Sequence, residues 1–326
     1  MKKIVSIILC LTMVFALTGA LAEGMKVGYY GLGIDQAFFN ALYESLKSYC
    51  EERGYELIAK FTDGDSAEMR AAYDQFKAQG VDVIIDGNAF ADVIAPYIEQ
   101  AAEDKIPYIA LFTSFDGDYY TFGASNEDMG NATGNYVGSL IADEWEGKVD
   151  SVFLVGTFST GAEITLRLTS ALPAMGEHID MSNVEVVNLD VVAGDSAGAY
   201  QKVMDALTSH PGQKVAIFCQ TDDMCNAAVS AVEAADRGDT TMAVGSDCID
   251  AALEYWQTAI KEGNMKAPWR GSIFLDTASY GGTILDLAEQ ILAGTAENYA
   301  NWAPVSVAGL SNWEEYWPDL MEKTFN

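Results

Sequence analysis

Short apolar runs alternate with longer segments of helical period along almost the whole chain, and this alternation limits the fold more than any other feature. The clearest runs are Val27 to Tyr30, Val81 to Ile85, Pro107 to Phe112 and Val215 to Cys219. Parallel strands that are covered by helices on both faces give this pattern. The sequence therefore predicts an α/β fold with doubly wound parallel sheets.

The segment after the first run shows how a helix would cover such a sheet. It carries one apolar stripe at helical spacing, formed by Phe39, Leu42, Tyr43, Leu46, Tyr49 and Cys50. Side chains with this spacing fall on one face of a helix, which would pack on the sheet. Gly54 follows the stripe and is predicted to end the helix, because glycine is common just past a helix C-terminus.

The strand and helix pattern restarts near Lys148. Met25 to Gly33 and Asp150 to Gly161 each consist of a strand, a glycine-bearing turn and the start of a helix. The chain of 326 residues exceeds the roughly 100 to 200 residues of a typical domain. Two similar doubly wound, Rossmann-like domains are therefore the simplest organisation.

The first 22 residues have the composition of a secretory signal. Lys2 and Lys3 precede an apolar run over 4–17, and 20–22 (Ala-Leu-Ala) supply small residues at a typical cleavage site. The run is shorter than the ~18 to 20 apolar residues of a membrane-spanning helix. We predict cleavage near Glu23 and an exported protein that is periplasmic, extracellular or associated with the cell surface; retention of the segment as an anchor is the alternative.

The net charge limits the classes of partner that the chain is expected to bind. The 18 basic and 48 acidic residues give a formal net charge of -30, which becomes -32 when Lys2 and Lys3 are removed. Nucleic acid and anionic membrane surfaces would repel such a chain. The acidity is expected to serve solubility, with a cationic ligand as the alternative.

Four cysteines lie outside the N-terminal segment: Cys50, Cys219, Cys225 and Cys248. They are too few to build a disulfide scaffold in a chain of this length, so burial as small apolar side chains is expected. Cys225 and Cys248 each follow a predicted strand in neighbouring units, which leaves a bridge between them open.

In a doubly wound sheet the ligand lies beyond the carboxyl ends of the strands. The loops at those ends combine aromatic rings with carboxylates, amides and hydroxyls, and the candidates are Asp35, Gln36, Phe38, Phe39, Asp86, Phe112, Thr113, Asp195, Thr221, Asp222 and Asp247. Aromatic faces can cover a sugar while oxygen atoms accept its hydroxyl protons, so a polyhydroxylated solute is predicted. Asp and Ser before a helix are also ordinary N-caps, and Asp247 fits either role.

Gly194 to Gly198 matches the G-x-S-x-G nucleophile elbow between a predicted strand and a predicted helix. The hydrolases with this elbow need a histidine base late in the chain. His178 and His210 are the only histidines, so nothing beyond position 210 can serve as the base. We therefore interpret Ser196 as a helix cap, assign no catalytic residue and predict that the chain is not an enzyme.

Motifs for cofactors and metals are also weak. Gly28, Gly31 and Gly33 lack dinucleotide spacing, and no clean ribose-binding acid follows about 20 residues later. Two Asp-Gly-Asp triplets, at 63–65 and 116–118, do not continue into a calcium loop that ends in Glu. The sequence therefore predicts no cofactor and no metal.

Five fragments follow one another in a fixed order: 35–39 (Asp-Gln-Ala-Phe-Phe), 208–212 (Thr-Ser-His-Pro-Gly), 216–224, which ends in Gln-Thr-Asp-Asp-Met, 244–247 (Val-Gly-Ser-Asp) and 312–316 (Asn-Trp-Glu-Glu-Tyr). Their order and spacing resemble the periplasmic (type I) sugar-binding proteins of ABC transporters, of the ribose and galactose kind. The similarity covers nearly the whole chain after the signal, from about Lys26 to about Leu320.

This resemblance implies two discontinuous domains that are joined by a three-crossing hinge. The signal peptide would cover 1–22, the N-terminal lobe 23–125 plus 276–304, and the C-terminal lobe 126–275 plus 305–326. The crossings would fall near Gly123 to Asn126, Leu275 to Thr277 and Ala303 to Ser306. Ligand would then close the hinge, because the candidate contacts come from both lobes.

By position, the resemblance assigns aromatic cover to Phe38 and Phe39, and polar contacts to Gln36, Asp86, Asp247 and the 221–222 loop. Phe39 also lies on the apolar stripe of the first helix. We therefore expect Phe39 to be buried in the core and Phe38 to contact the ligand.

Three departures from the family pattern concern the ligand contacts. Phe112 and Thr113 occupy the place of an Asp-Arg pair, Thr165 lies where a sugar-binding arginine is expected, and Thr221 replaces an asparagine. Arg167 is two residues beyond Thr165, about 200° around a helix, and is not expected to substitute for that arginine.

The resemblance implies a monomer that captures a small polar ligand, with a sugar favoured, and delivers it to the permease of an ABC transporter. The family's arginines hold vicinal sugar hydroxyls with two hydrogen bonds in a fixed geometry. Because this chain lacks them at the expected positions, a nucleoside-like or amine-bearing solute is the alternative ligand. A membrane sensor is the alternative partner. An exported enzyme is less favoured, and a transcription regulator would need a DNA-binding headpiece where this chain has a signal.

Overall fold

The computed structural model describes residues 24–33, 37–62, 65–88, 91–113, 119–192 and 194–325. The predicted signal peptide and the site candidates Asp35 and Gln36 lie outside the described residues, as does most of the two Asp-Gly-Asp triplets.

The order of elements is an alternation of strands and helices. The strands are β1 (Lys26–Gly31), β2 (Glu56–Phe61), β3 (Val83–Asp86), β4 (Tyr108–Leu111), β5 (Tyr120–Gly123), β6 (Ser151–Gly156), β7 (Glu185–Asp190), β8 (Val215–Cys219), β9 (Thr241–Ser246), β10 (Trp269–Phe274), β11 (Ala300–Trp302) and β12 (Ser306–Gly309). The helices are α1 (Ala37–Arg53), α2 (Ser66–Gln79), α3 (Ala91–Asp104), α4 (Asn126–Glu144), α5 (Ala162–Thr169), α6 (Ala171–Met175), α7 (Ser196–Ser209), α8 (Asp222–Ala234), α9 (Asp250–Lys261), α10 (Thr277–Ala293) and α11 (Trp313–Tyr316).

The chain divides into two compact units, each built on one sheet. Unit 1 takes its described residues from Met1–Leu111, Phe115–Phe122 and Thr277–Asn301, and unit 2 from Phe112–Ser114, Gly123–Asp276 and Trp302–Asn326. The lobe boundaries and the hinge closure that the resemblance implies stay predictions.

Both sheets are doubly wound, which confirms the predicted fold class. The strand order is β11-β5-β4-β3-β1-β2 in unit 1 and β12-β10-β9-β8-β6-β7 in unit 2. The pairs among β1 to β4 and among β6 to β10 are parallel, and β10 pairs with β12 in the antiparallel direction. The chain winds outward from β1 and from β6, so the topological switch points lie between β1 and β3 and between β6 and β8. Ligands bind at such points in open α/β sheets.

The apolar stripe of α1 packs as predicted over most of its length. Leu42, Leu46 and Cys50 are fully buried, and Gly54 has the positive φ of +70° expected just past a helix end. Phe39, however, is only half-buried. The expectation that Phe39 is buried in the core is therefore wrong, and its ring instead meets the half-buried ring of Phe38.

Helix α4 approaches its neighbours at backbone distance. A Cβ on Gly130 would lie 2.6 Å from the carbonyl oxygen of Leu166, and one on Gly134 would overlap the carbonyl group of Ala171. Glycine at these two positions lets α4 contact α5 and α6 directly. The contact fixes the N-terminal turn of α4, including Asn126, beside α5.

The four cysteines are free, and three of them, Cys50, Cys219 and Cys225, are buried as expected. The bridge between Cys225 and Cys248 is absent from the structure: Cys248 Sγ lies 3.6 Å from the backbone oxygen of Ser272. Within the described part of the chain, no helix is both long and apolar enough to cross a membrane.

Candidate functional site

An arginine lies at the carboxyl edge of the unit 2 sheet. Arg167 Nε donates to Asn126 Oδ1 at 3.0 Å, and Arg167 Nη1 donates to the backbone oxygen of Gln220, just past β8, at 3.0 Å. Desolvation lowers the pKa of Arg167, and the charges of Asp247 and Glu163 oppose that shift. Glu163 Oε2 in turn accepts from Asn126 Nδ2 at 2.8 Å, so α4, α5 and the β8 loop hold the guanidinium in one place.

The sequence analysis concerns two residues of this helix. The guanidinium of Arg167 contacts the end of β8 near the second switch point, and whether it takes the place of the family's arginine stays a prediction. Thr165 Oγ1 donates to the Ala162 carbonyl within α5 at 2.8 Å, and its contact with a solute also stays a prediction. An arginine side chain is long enough to cross from a lateral position on a short helix to the sheet edge, which a count of helical angles does not capture.

Asp247 follows β9 directly, and its charge interacts with that of Arg167. Its φ of +110° is unusual for a residue with a side chain, and its backbone N–H donates to the Ile273 oxygen at 3.1 Å. Desolvation raises the pKa of Asp247 to about 7, while the charge of Arg167 acts in the opposite direction.

The helix-cap alternative for Asp247 does not hold. Ile249 is the N-cap residue of α9, and its backbone N–H donates to Asp222 Oδ2 at 3.1 Å. The Asp247 carboxylate is therefore positioned by the end of β9 rather than by the helix that follows.

Asp222 connects three loops of unit 2 from a fully buried position. Ser272 Oγ of β10 donates to Asp222 Oδ1 at 2.7 Å, while Oδ2 accepts the Ile249 N–H of the β9 loop. Desolvation raises the pKa of Asp222 well above its ordinary range, and the charge of Asp247 adds to this. The two bonds show that Asp222 positions the β9 loop and β10, and its direct contact with a solute stays a prediction.

Thr221 and Gln220 complete this loop. Thr221 Oγ1 accepts the Met224 N–H at 3.3 Å and caps α8, and Gln220 Oε1 accepts the Thr157 N–H at the end of β6 at 2.6 Å. The side chain of Gln220 thus joins the ends of β6 and β8 across the second switch point.

Asp195 is exposed and has a cap role. Its Oδ1 accepts the Gly198 N–H at 2.8 Å at the start of α7. Ser196 is the first residue of α7 and not its cap, which corrects the expectation for that serine.

A second polar network lies at the carboxyl edge of the unit 1 sheet. Asp86, the last residue of β3, is fully buried and accepts from Asn88 N at 2.8 Å, from Asn88 Nδ2 at 2.7 Å and from Tyr108 Oη. Thr62 Oγ1 donates to Asn88 Oδ1 at 3.2 Å. Desolvation raises the pKa of Asp86 to about 6, and the bonds from Tyr108 and Asn88 oppose the rise.

The aromatic candidates differ in burial. Phe38 and Phe39 are both half-buried in the first turn of α1, with ring centroids 5.2 Å apart and an interplanar angle of 84°. Phe112 and Thr113 are buried after β4. Phe112 has a φ of +56°, and a Cβ on Gly123 would lie 2.6 Å from its ring, so glycine at 123 makes room for that ring.

The residues at the two sheet edges can bind a solute through hydrogen bonds. Guanidinium donors, carboxylate and amide oxygens, and half-buried rings occur at the two sheet edges, and no group of three or more His, Cys, Asp or Glu side chains among the described residues is arranged to hold a metal ion. Sequence reasoning missed Asn126 as a member of these edges and considered Arg167 only as a substitute for Thr165. Asn88 has a visible signal in the sequence, since it stands directly after a predicted strand.

Comparison with known proteins gives a consistent result. The family of the periplasmic binding protein domain matches residues 28–296. The xylitol-binding protein of Mycolicibacterium smegmatis is 25% identical over 246 residues, which is 74% of this chain and 63% of that protein, so the chain spans less than two thirds of that relative. The ribose import binding protein of Haemophilus influenzae is 23% identical over 276 residues, 82% of this chain and 87% of that protein.

A solved structure shares the fold. A periplasmic solute-binding protein of an ABC transporter from Actinobacillus succinogenes, with bound D-allose, matches with a TM-score of 0.75 at 18% identity and covers 90% of this chain and 100% of that one. At this level of identity the match concerns the fold alone.

Proposed function

Because the chain belongs to the family of the periplasmic binding protein domain, we propose that it is an extracytoplasmic solute-binding protein. It captures a small polyhydroxylated solute, with a sugar or sugar alcohol favoured, and passes it as a monomer to the membrane permease of an ABC transporter. It binds this solute without turning it over. The N-terminal segment directs its export.

The observation that carries the proposal is the presence of Arg167 and Asp247, whose charges interact, at the carboxyl edge of unit 2. A guanidinium has more N–H donors than the two bonds to Asn126 and Gln220 use, and Asp247 supplies acceptor oxygens beside it. Adjacent donors and acceptors of this kind suit the vicinal hydroxyls of a sugar or polyol, each of which both donates and accepts.

The relatives support the same class of solute. Their names mention xylitol and ribose, and the solved structure holds D-allose. All three are neutral polyhydroxylated molecules, so the donor and acceptor chemistry of the unit 2 edge is compatible with each of them.

Calorimetric titration of the purified protein with D-ribose, xylitol and D-allose tests the proposal. We expect one of them to bind with a Kd near the micromolar range, about -8 kcal/mol. Asp247→Ala should weaken that binding at least about tenfold, because a hydrogen bond to a charged group is lost.

Asp65→Ala is the matched control. Asp65 is exposed and caps α2 by accepting the N–H groups of Ala67 and Glu68, so its loss should lower the melting temperature with little effect on the Kd. Native mass spectrometry of the gently purified protein identifies any solute that is retained. Recovery of a solute without vicinal hydroxyls would contradict the proposed class, and turnover of the solute would contradict a binding function.

A further inference from the structure

A buried tyrosine of unit 1 carries a hydroxyl group that the fold leaves unused. Tyr29 lies in β1 and is 0% exposed. Its ring stacks on Tyr43 at 6.0 Å between centroids and meets the edge of Phe61 at 6.4 Å. Among the described residues, however, Tyr29 Oη has no hydrogen-bond partner.

The neighbouring residue, Tyr30, has a buried hydroxyl group that is hydrogen-bonded. Tyr30 points to the opposite face of the sheet, is equally buried, and donates from Oη to the Met69 oxygen at 3.2 Å. The two adjacent residues therefore have the same chemistry and burial and differ in whether the hydroxyl is bonded.

The unbonded hydroxyl lies at the first switch point. A Cβ on Gly87, the residue after β3, would lie 3.0 Å from Tyr29 Oη and 3.2 Å from the Tyr30 oxygen. The backbone N–H of Gly87 donates to that Tyr30 oxygen at 2.9 Å. Tyr29 Oη thus sits between the carboxyl ends of β1 and β3, next to the Asp86 and Asn88 network, where ligands bind in this class of sheet.

A phenylalanine would fill the same space without the free-energy cost of burying an unbonded hydroxyl group. Burial of a hydroxyl without a partner lowers stability, and most buried side-chain hydroxyls in proteins are bonded for this reason. Desolvation also raises the pKa of Tyr29, with Asp86 adding to the rise, so the group stays protonated and keeps a hydrogen to donate. An acceptor is missing from the protein itself.

We propose that Tyr29 Oη donates a hydrogen bond to an oxygen of the bound solute, directly or through one ordered water, and so selects for a hydroxyl at that position. Since Tyr29 is fully buried, the solute or the water reaches it past the loop of Gly87 and Asn88. This inference rests on the proposed function, because it names a specificity-determining residue of the solute site.

Tyr29→Phe and Tyr30→Phe form a matched pair that tests it. Each variant is melted without solute and titrated with D-ribose, xylitol and D-allose. Tyr29→Phe should melt at or above the temperature of the parent, because it removes an unsatisfied hydroxyl, and should bind the solute about tenfold more weakly. Tyr30→Phe should melt earlier, because it loses the bond to Met69, and should keep the Kd of the parent.

Two results would overturn the inference. If Tyr29→Phe melts clearly below the parent without solute, the hydroxyl has a structural partner. If the parent binds a solute and Tyr29→Phe binds it equally well, the hydroxyl has no role in recognition. Failure of the parent to bind any of the three solutes would instead count against the proposed function. The melting temperatures of the parent and of Tyr29→Phe would then decide whether the Tyr29 hydroxyl has a structural partner.

Discussion

Replacement of Asp247 by asparagine should make the protein more stable and a weaker binder at the same time. The side chain keeps its shape and an acceptor oxygen but loses its charge. In the structure the charge is held at the sheet edge, where desolvation outweighs the attraction of Arg167 and raises the pKa of Asp247 from 3.8 to about 7. The ionised form is therefore disfavoured in the folded protein relative to the unfolded chain.

The size and the sign of the effect follow from this pKa. Between pH values of about 4 and 7 the folded protein keeps a proton that the unfolded chain releases, so the stability due to Asp247 falls as the pH rises through this window. A rise of about 3 in pKa corresponds to about 4 kcal/mol once both states are ionised, which is an upper limit for a half-buried group. Asp247→Asn should recover up to this amount at pH 8 and almost none of it at pH 4.

Urea unfolding of the parent and of Asp247→Asn at several pH values from 4 to 9 measures the difference directly, and titration with the solute measures the affinity. Asp65→Asn serves as the control, because asparagine caps a helix as well as aspartate and Asp65 is exposed. A stability difference between parent and Asp247→Asn that does not grow between pH 4 and 8, or a variant that is less stable at pH 8, would refute the reasoning.

Three further predictions concern packing and the guanidinium. Phe38→Ala and Phe39→Ala should each lower stability by less than Leu42→Ala, because the two rings are half-buried and the leucine is fully buried. For Leu42→Ala a loss of about 2 to 5 kcal/mol is expected. Chemical unfolding measures the three losses, and a phenylalanine variant as unstable as the leucine variant would contradict this order. Gly134→Ala should cost about 1 to 3 kcal/mol, since its Cβ would overlap the carbonyl of a residue in α6, and an unchanged melting temperature would show that α4 can shift. Arg167→Lys should weaken solute binding about tenfold or more although the charge is kept, because one ammonium cannot reproduce the two bonds of the guanidinium, and calorimetry showing an unchanged Kd would exclude the arginine from the site.

The fold was predictable because strands that are buried on both faces of a sheet consist mainly of apolar residues, a pattern that is visible in the sequence. β8 consists of apolar residues without interruption, and the stripe of α1 has a single clear period. The short strands β5, β11 and β12 were not predicted. They contain three or four residues each, which is too few for a period to show, and β12 pairs in the antiparallel direction at the margin of its sheet.

The candidate site was predictable only in part. Asp195 and Asp247 both stand near the start of a helix after a strand, and their surroundings in the sequence are similar. The structure separates them: Asp195 bonds to the first turn of α7, whereas Asp247 has a positive φ, is not the N-cap residue of α9, and interacts with the charge of Arg167. The contacts of Arg167 could not be predicted, because its position depends on the packing of α4 against α5 and α6, a tertiary contact that two glycines permit.

The number of protein hydrogen bonds distinguishes Asp86 and Asp222 from Asp247. Asp86 and Asp222 each accept bonds on both oxygens from groups of their own unit, and burial raises the pKa of both. Asp247 has less support, a backbone N–H of Asp222 and the charge of Arg167, and its pKa is raised as well. A solute hydroxyl that donates to Asp247 would stabilise the ionised form that the protein alone leaves under-bonded. Of these three residues, Asp247 is therefore the one whose replacement should change affinity more than architecture.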